Sequence, residues 1–341
     1  MANSDETLVT VVIPAYNAER FIGATLNSAL RQSHRDIEVI VVDDGSTDRT
    51  TAIVESKAAS DGRIRLLHQS NSGVAAARNR GLAAARGAFF APLDADDLWH
   101  SRKTELQLAA LRRGGTDVAL AYSWSCIIDE NDRIIGRTGR GYAEGHVLHE
   151  LVAHNFIGNA SVPLIRTEMA RMVGGYQEGL FHANAQGCED LQFHVAIAER
   201  WALALVPQTL VGYRQAISSM SMDVERMKRS RTLVLKQIAD RHPEIHKSVF
   251  RLYEQRSTLA AAAKFIRSGR LPDGYRLIAA AARRDPALPF RRYARPYLRR
   301  MLRAGLNGWA IGSNLPQPYQ QIFSDDAVTK ERQTEFQADF E

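Results

Sequence analysis

Three aspartates close an apolar run in FFAPLDADDLWH, residues 89–100: Phe89 to Leu93 lead into Asp94, Asp96 and Asp97, with only Ala95 between. Carboxylates this close repel one another, so a cation is expected to hold them. An Asp-rich helix cap accounts for one of the three, most naturally Asp97 ahead of LWHSRKTELQ, but not for all of them after a buried run. Hard divalent ions such as Mg²⁺ or Mn²⁺ take oxygen ligands and share them with substrate phosphates. A DxD at a strand end therefore points to a metal-bridged diphosphate.

Three other stretches carry chemistry of the same kind. In VVDDGSTD, Asp43 and Asp44 precede Gly45 and Ser46. The ordinary reading is a turn with Ser46 as a helix cap; the functional one is a carboxylate accepting a hydrogen bond from a nucleobase imide, as uracil would offer. In IPAYNAE, Pro14 and Asn17 are ordinary at a strand end and a helix cap, while Tyr16 is placed to stack on a base. In SGVAAARNRGL, Gly73 precedes a helix with Arg78 and Arg80, and such an N-terminus seats phosphate oxygens. Neither a Walker A loop nor a GxGxxG occurs.

The elements that position these residues follow a regular rhythm. TLVTVVIP at 7–14 and DIEVIVVDDGS at 36–46 are continuous β-branched runs, suited to strands covered on both faces of a parallel sheet. Between them Phe21, Ile22, Leu26, Ala29 and Leu30 recur at helical spacing. A helix near 48–60, a strand at 63–69, a helix at 73–86 and a strand at 88–93 continue the alternation, which predicts a three-layer α/β domain with ligands at the carboxyl ends of its strands. After residue 115 come a strand near DVALAYSWSCIID, a weaker segment at 133–146, an extended ASVPLIR, a helix from GCEDLQFHVAIAER and an extended ALALVPQTLVGYR.

Beyond residue 222 the texture becomes helical and basic, with Ala-rich helices joined at Gly269 to Gly274 and stopped at Pro286. Residues 223–303 hold 21 Lys or Arg against 7 Asp or Glu, a balance of +14, so the rest of the chain carries 6 − 14 = −8. The expected organisation is a catalytic domain at 1–222, a basic helical domain at 223–305 and a poorly ordered tail at 306–341. PFRRYARPYLRRML at 289–302 interleaves Arg, Tyr, Phe and Leu as a segment adhering to an anionic membrane surface would. No zinc spacing, RNP-like pattern or helix-turn-helix supports nucleic-acid binding. Cys126 and Cys188 share no metal spacing and read as thiols in a reducing compartment. With no leader-like start and no long apolar stretch, the expectation is a cytoplasmic protein, or one peripheral on the inner face of the cell membrane.

IPAYNAE, VVDDGSTD, SGVAAARNRGL, LDADD and CEDLQF, in this order, resemble a family 2 glycosyltransferase of the GT-A fold; MVGGYQEGL at 172–180 and YRQAISSMS at 213–221 extend the likeness over roughly residues 7–222. The resemblance implies a Rossmann-like α/β/α domain that binds a nucleotide-sugar donor, with UDP favoured as the nucleotide. It gives Pro14, Tyr16 and Asp44 to the nucleobase pocket, Arg78 to the nucleotide side, Asp94 to the ribose or sugar, and Asp96 to a divalent metal, Mn²⁺ or Mg²⁺. It makes Asp190 the general base and Glu189, Gly175 and Tyr176 acceptor-side residues. Where many relatives carry a His after YR, this chain has Gln215 and Ala216, so the segment receives no role.

The implied reaction is a single displacement with inversion: the acceptor hydroxyl, of a glycan or a lipid-linked sugar, attacks the anomeric carbon opposite the leaving diphosphate, and Asp190 takes its proton. Cys188 then reads as a packing residue, and His182 and His194 as structural. The expected setting is synthesis of cell-surface polysaccharide or another glycoconjugate. The neighbouring alternatives are a sugar-phosphate nucleotidyltransferase, which would release pyrophosphate, and a nucleotide-sugar binding protein without transfer.

Overall fold

The computed structural model describes residues 7–138, 142–215, 223–288 and 294. These form two compact units: one takes the described residues up to Leu148 together with 156–215, and the other takes His149–Asn155, 223–288 and 294.

The first unit opens as the alternation predicts, with β1 (Val9–Ala15), α1 (Ile22–Leu30), β2 (Ile37–Asp43), α2 (Thr50–Ser60), β3 (Ile64–His68), α3 (Val74–Ala84) and β4 (Phe89–Pro92). β1 lies parallel to β2 from Val9↔Ile37 to Ala15↔Asp43, β4 lies parallel along its other edge, and β3 lies parallel to β2. Every residue of β1 and β2 is buried, which is why both read as unbroken apolar runs; a fully buried Val or Ile contributes about 1.5–3 kcal/mol. α3 packs close on β1 because position 81 is glycine: a Cβ there would lie 2.2 Å from Val12 Cγ1.

The sheet then becomes mixed. β5 (Leu98–Trp99), α4 (Lys103–Arg113), β6 (Val118–Ile128), β7 (Ile134–Arg137), α5 (Leu148–Ala153), β8 (Leu164–Arg166), α6 (Thr167–Met172), α7 (Gly179–His182), α8 (Glu189–Ala198) and β9 (Ala202–Arg214) follow. The strand order is β3-β2-β1-β4-β8-β6-β9-β5, with β7 paired to β6. β8 is antiparallel to β4 and β6, β9 is parallel to β6, and β5 is antiparallel to β9. The carboxyl ends of the neighbouring strands β2, β1 and β4 thus share one edge, and β9 carries its last residues to the start of β5.

Three local expectations need correction. Asp97 does not cap a helix: Leu98 and Trp99 pair with Gly212 and Val211, so the chain stays extended and α4 waits until Lys103. Ser46 and Asn17 do not cap helices either, since α2 begins at Thr50 and α1 at Ile22. Asn17 instead sits at φ 49°, where its Oδ1 accepts from Thr47 N at 2.8 Å and staples the β1–α1 loop to the β2–α2 loop. Gly274 is inside a helix rather than in a linker, as the second unit shows.

That second unit holds α9 (Val224–Arg241), α10 (Lys247–Arg267) and α11 (Leu271–Arg284), together with His149–Asn155. Asp223 caps α9 by accepting from Arg226 N at 3.0 Å, and Pro272 stands in the first turn of α11, where its missing N–H costs nothing. Leu259, Ala262, Ile278, Ala281, Leu288 and Ala294 form its buried core. A Cβ at Gly274 would meet Ile266 Cγ1 at 2.6 Å, which explains the close approach of α11 to α10. No described helix is long and apolar enough to cross a membrane. Apart from Ala294, the 289–302 segment and the 306–341 tail lie outside the described residues.

Candidate active site

Leu93 N donates to Val12 O at 2.9 Å, which carries the parallel pairing one residue past β4 and delivers Asp94 to the sheet edge. The three aspartates that follow have three different fates. Asp94 forms an ion pair with Arg78 at 2.5 Å. Asp97 is fully buried: Ser161 Oγ donates to its Oδ2 at 2.5 Å and Arg214 N to its Oδ1 at 2.8 Å, while burial and the neighbouring Asp96 and Asp94 push its carboxyl well above the usual range. Asp97 therefore serves the loop and not a ligand.

Asp96 is half-buried, and its carboxylate accepts no hydrogen bond from another described residue. Burial, then repulsion from Asp94, push it up to about 6 against the pull of Arg214. Among the described residues no cluster of three or more His, Cys, Asp or Glu would hold a metal unaided. An unpartnered carboxylate of this kind nevertheless fits a hard cation whose other ligands are diphosphate oxygens and water, the usual arrangement for Mg²⁺.

Arg78 connects this loop to the other wall. It is 5% exposed on α3, and burial pulls against its charge, yet Asp94, Tyr176 and Glu189 together hold its pKa above the ordinary range. Its guanidinium lies 5.2 Å from the Tyr176 ring centre, and that ring stacks at 4.2 Å on Phe193 of α8. Asn79, next along α3, fixes the turn bearing Tyr176: its Nδ2 donates to Tyr176 O and Tyr176 N donates to its Oδ1, both at 2.7 Å. Gly175 sits at φ 69°, and a Cβ there would lie 2.5 Å from Asn79 Oδ1, so the turn requires glycine.

Asp190, in the first turn of α8, is half-buried and accepts from Leu191 N at 2.8 Å. Burial pushes its carboxyl up to about 7, with Glu189 and Asp94 adding to the effect and Arg78 opposing it. Glu189 is buried; Gly187 N donates to its Oε2 at 2.8 Å and its Oε1 has no partner. The Tyr176 hydroxyl and both ring nitrogens of the buried His194, one helical turn past Asp190, also lack partners. Burial and Arg78 push that imidazole down to about 3, so it is neutral.

At the carboxyl ends of β1 and β2, Pro14 pairs with Val42 within the sheet and Tyr16 is 52% exposed. Asp44 is buried and already receives three hydrogen bonds, from Gln69 Nε2 and Ser72 N at 2.8 Å and Gly73 N at 2.9 Å, which tie the β3–α3 loop to β2. A carboxylate has about four acceptor positions, so room for one more donor remains. The structure thus gathers Arg78, Asp94, Tyr176, Glu189 and Asp190 into one neighbourhood and sets Pro14, Tyr16 and Asp44 on the same sheet edge. Asn79, Ser161 and Arg214 escape the sequence reading; for Ser161 no local pattern marks it, while Asn79 and Arg214 lie inside quoted motifs.

Residues 10–162 match the family described as glycosyl transferase family 2. An uncharacterized glycosyltransferase of Haemophilus influenzae is 30% identical over 213 residues, covering 61% of this chain and 65% of its own length. The enzyme UDP-Glc:alpha-D-GlcNAc-diphosphoundecaprenol beta-1,3-glucosyltransferase WfgD of Escherichia coli is 38% identical over 134 residues, 39% of this chain and 51% of its own length. Other curated relatives are longer, and the match spans 32% of an uncharacterized glycosyltransferase of Rickettsia felis. Among solved structures, S. aureus TarS 1-349 in complex with UDP-GlcNAc has a TM-score of 0.51 at 20% identity, over 86% of this chain and 89% of its own. Mannosyltransferase PcManGT from Pyrobaculum calidifontis, in complex with GDP-Man and Mn²⁺, also has a TM-score of 0.51, at 22% identity over 88% and 87%. At such identities the likeness is one of fold, and the fold is the GT-A architecture expected from the sequence. Over residues 10–162, within the α/β sheet that they help to build, the chain is thus similar to glycosyl transferase family 2.

Proposed function

We propose that the protein is an inverting, divalent-metal-dependent glycosyltransferase that moves a sugar from a nucleotide-diphosphate donor, UDP-sugar favoured, to a hydroxyl of a glycan or lipid-linked acceptor in cell-surface polysaccharide or glycoconjugate synthesis. The observation that carries this reading is the pair of raised carboxyls, Asp96 and Asp190, both within electrostatic reach of Asp94, which pairs with Arg78. One is suited to a cation and the other to a proton. The relative WfgD is named for UDP-Glc and an alpha-D-GlcNAc-diphosphoundecaprenol substrate, and PcManGT was solved with GDP-Man and Mn²⁺, which supports the same chemistry here.

Tyr16 would stack on the base and Asp44 would use its remaining acceptor position on the base edge, with Pro14 shaping the pocket floor. Asp96 would hold Mn²⁺ or Mg²⁺, which supplies charge neutralisation for the leaving diphosphate. Arg78 would aim Asp94 through their ion pair, and Asp94 would take a ribose or sugar hydroxyl. Asp190 removes the acceptor's proton as attack proceeds; a carboxyl near 7 is a far better match to that task than an ordinary aspartate. Glu189, Gly175 and Tyr176 form the acceptor-side wall.

Calorimetry with UDP-, GDP- and dTDP-sugars, with and without Mn²⁺, tests this directly. Metal-dependent binding of one donor, lost in Asp96→Ala, is the expected result; no binding of any donor with any metal removes the reading. We also propose that the basic segment 289–302 holds the enzyme against anionic lipid, where a lipid-linked acceptor resides. Flotation with vesicles containing anionic phospholipid should carry the protein upward at low salt and release it at high salt.

A further inference from the structure

Arg214 ends β9 and is one of the largest fully buried side chains among the described residues, at 1% exposure. A guanidinium cannot shed its proton, so a buried arginine is tolerated only where its donors are matched. Its partners come from three segments. Backbone N donates to Asp97 Oδ1 at 2.8 Å and Nε to Asp96 O at 2.6 Å. Nη1 donates to Asp129 O and Nη2 to Asp132 Oδ1, both at 2.5 Å, in the turn between β6 and β7. The guanidinium also lies 4.4 Å over the Phe21 ring ahead of α1, and the adjoining Arg20 pairs with Glu130 of the same turn.

The choice of atoms matters. Arg214 bonds the backbone carbonyl of Asp96 and leaves its carboxylate without a hydrogen bond from any other described residue. It therefore fixes where Asp96 sits without occupying the oxygens that a cation needs, which is how residues outside a metal's own ligands orient them.

We propose that Arg214 is a positioning residue: it holds the 94–97 loop in the form that presents Asp96 to a divalent cation and a diphosphate by pinning that loop to the β6–β7 turn and to Phe21. The inference deepens the metal-dependent donor binding proposed above and rests on it for its ligand. Two variants of the full chain test it. Arg214→Lys keeps the charge and loses the fork. Asp132→Asn removes one charged partner at φ 62°, a backbone conformation that Asn tolerates.

The probe is UDP with Mn²⁺ by calorimetry, alongside hydrogen exchange of residues 94–97 and 129–132. Arg214→Lys, with its melting temperature within a few degrees of wild type, should bind UDP with Mn²⁺ roughly 10–100-fold more weakly, while metal-free UDP binding is unchanged. Asp132→Asn should lose less in the same direction, and both segments should exchange faster together in both variants. A folded Arg214→Lys that binds UDP with Mn²⁺ within twofold of wild type overturns the proposal, as does unaltered exchange in either segment. If Arg214→Lys does not fold, Asp132→Asn decides by the same criteria. Wild type that binds no UDP under any metal condition removes the donor reading instead, and the joint exchange of the two segments still decides whether Arg214 is the strut.

Discussion

The two strands that flank β1 in the sheet treat the aspartates at their ends in opposite ways. After β2, Asp43 receives Ser46 N at 2.9 Å and Thr51 Oγ1 at 2.6 Å, with His68 Nδ1 at 3.4 Å, and although burial works against it these bonds hold its carboxyl below the ordinary range. Asp44 beside it takes three donors from the next loop. After β4, the Asp96 carboxylate has no donor from another described residue and is pushed up to about 6. The first pair is already supplied with positive dipoles by its own loops; the second site is short of them. Similar sequence texture, DDGS against DADD, thus separates into an anchor and a receptor through what surrounds it.

Four substitutions break or sharpen that contrast, from the largest effect to the smallest. Asp190→Asn should reduce turnover by roughly 10²–10⁴ with donor binding retained. Since the proposed base would work deprotonated, wild-type rate should rise with pH through about 7 and be lost below it. The sign for stability is the reverse: a carboxyl raised from 3.8 to about 7 by folding favours the fold below its ordinary pKa and costs stability as pH rises through 7. Asp190→Asn should therefore melt higher than wild type at pH 8 and equally at pH 4 by calorimetry.

Asp96→Asn should lose turnover by about 10²–10³, the usual cost of one electrostatic partner of a leaving group, while melting no lower than wild type at pH 8. Asp44→Asn should do the opposite to stability. Its three donors would face an amide, at a cost of about 1–3 kcal/mol, read as a fall in melting temperature of ~2–4 °C per kcal/mol. A stabilised Asp44→Asn, or a destabilised Asp96→Asn, ends the distinction between anchor and receptor. Tyr16→Ala should leave the melting temperature unaltered, given its exposure, and weaken donor binding by roughly tenfold, about the lower half of the ~1–3 kcal/mol range for base stacking.

The parallel half of the fold was legible because β1 and β2 are buried on both faces and α1 is not, so hydrophobic period alone separates them. The mixed half was harder: β8 has only three residues and β5 only two, and their pairing is set by partners over a hundred residues away in the case of β5 and β9. The same limit governs the site. Asp94 and Asp96 announce themselves by type and spacing, whereas Ser161 holds Asp94 and Asp97 from a loop 64 residues beyond Asp97. Arg214 stood in a quoted motif, yet its meaning depends on Asp96, Asp97, Asp129 and Asp132 meeting around it. Roles fixed by one segment can be read along the chain; roles fixed by three cannot.

The Asn79–Tyr176 contact carries one more consequence. The side-chain amide of Asn79 meets the N–H and C=O of Tyr176 as a peptide group of a neighbouring strand would, so the turn bearing Tyr176 is held to α3 by a rung of imitation β-ladder. Aspartate has the same shape and volume but turns the donor of that rung into an acceptor facing a carbonyl. The placing of that turn therefore depends on the polarity of the group at position 79 as well as on its size, and a nearly isosteric exchange there would be felt at Tyr176, almost a hundred residues along the chain.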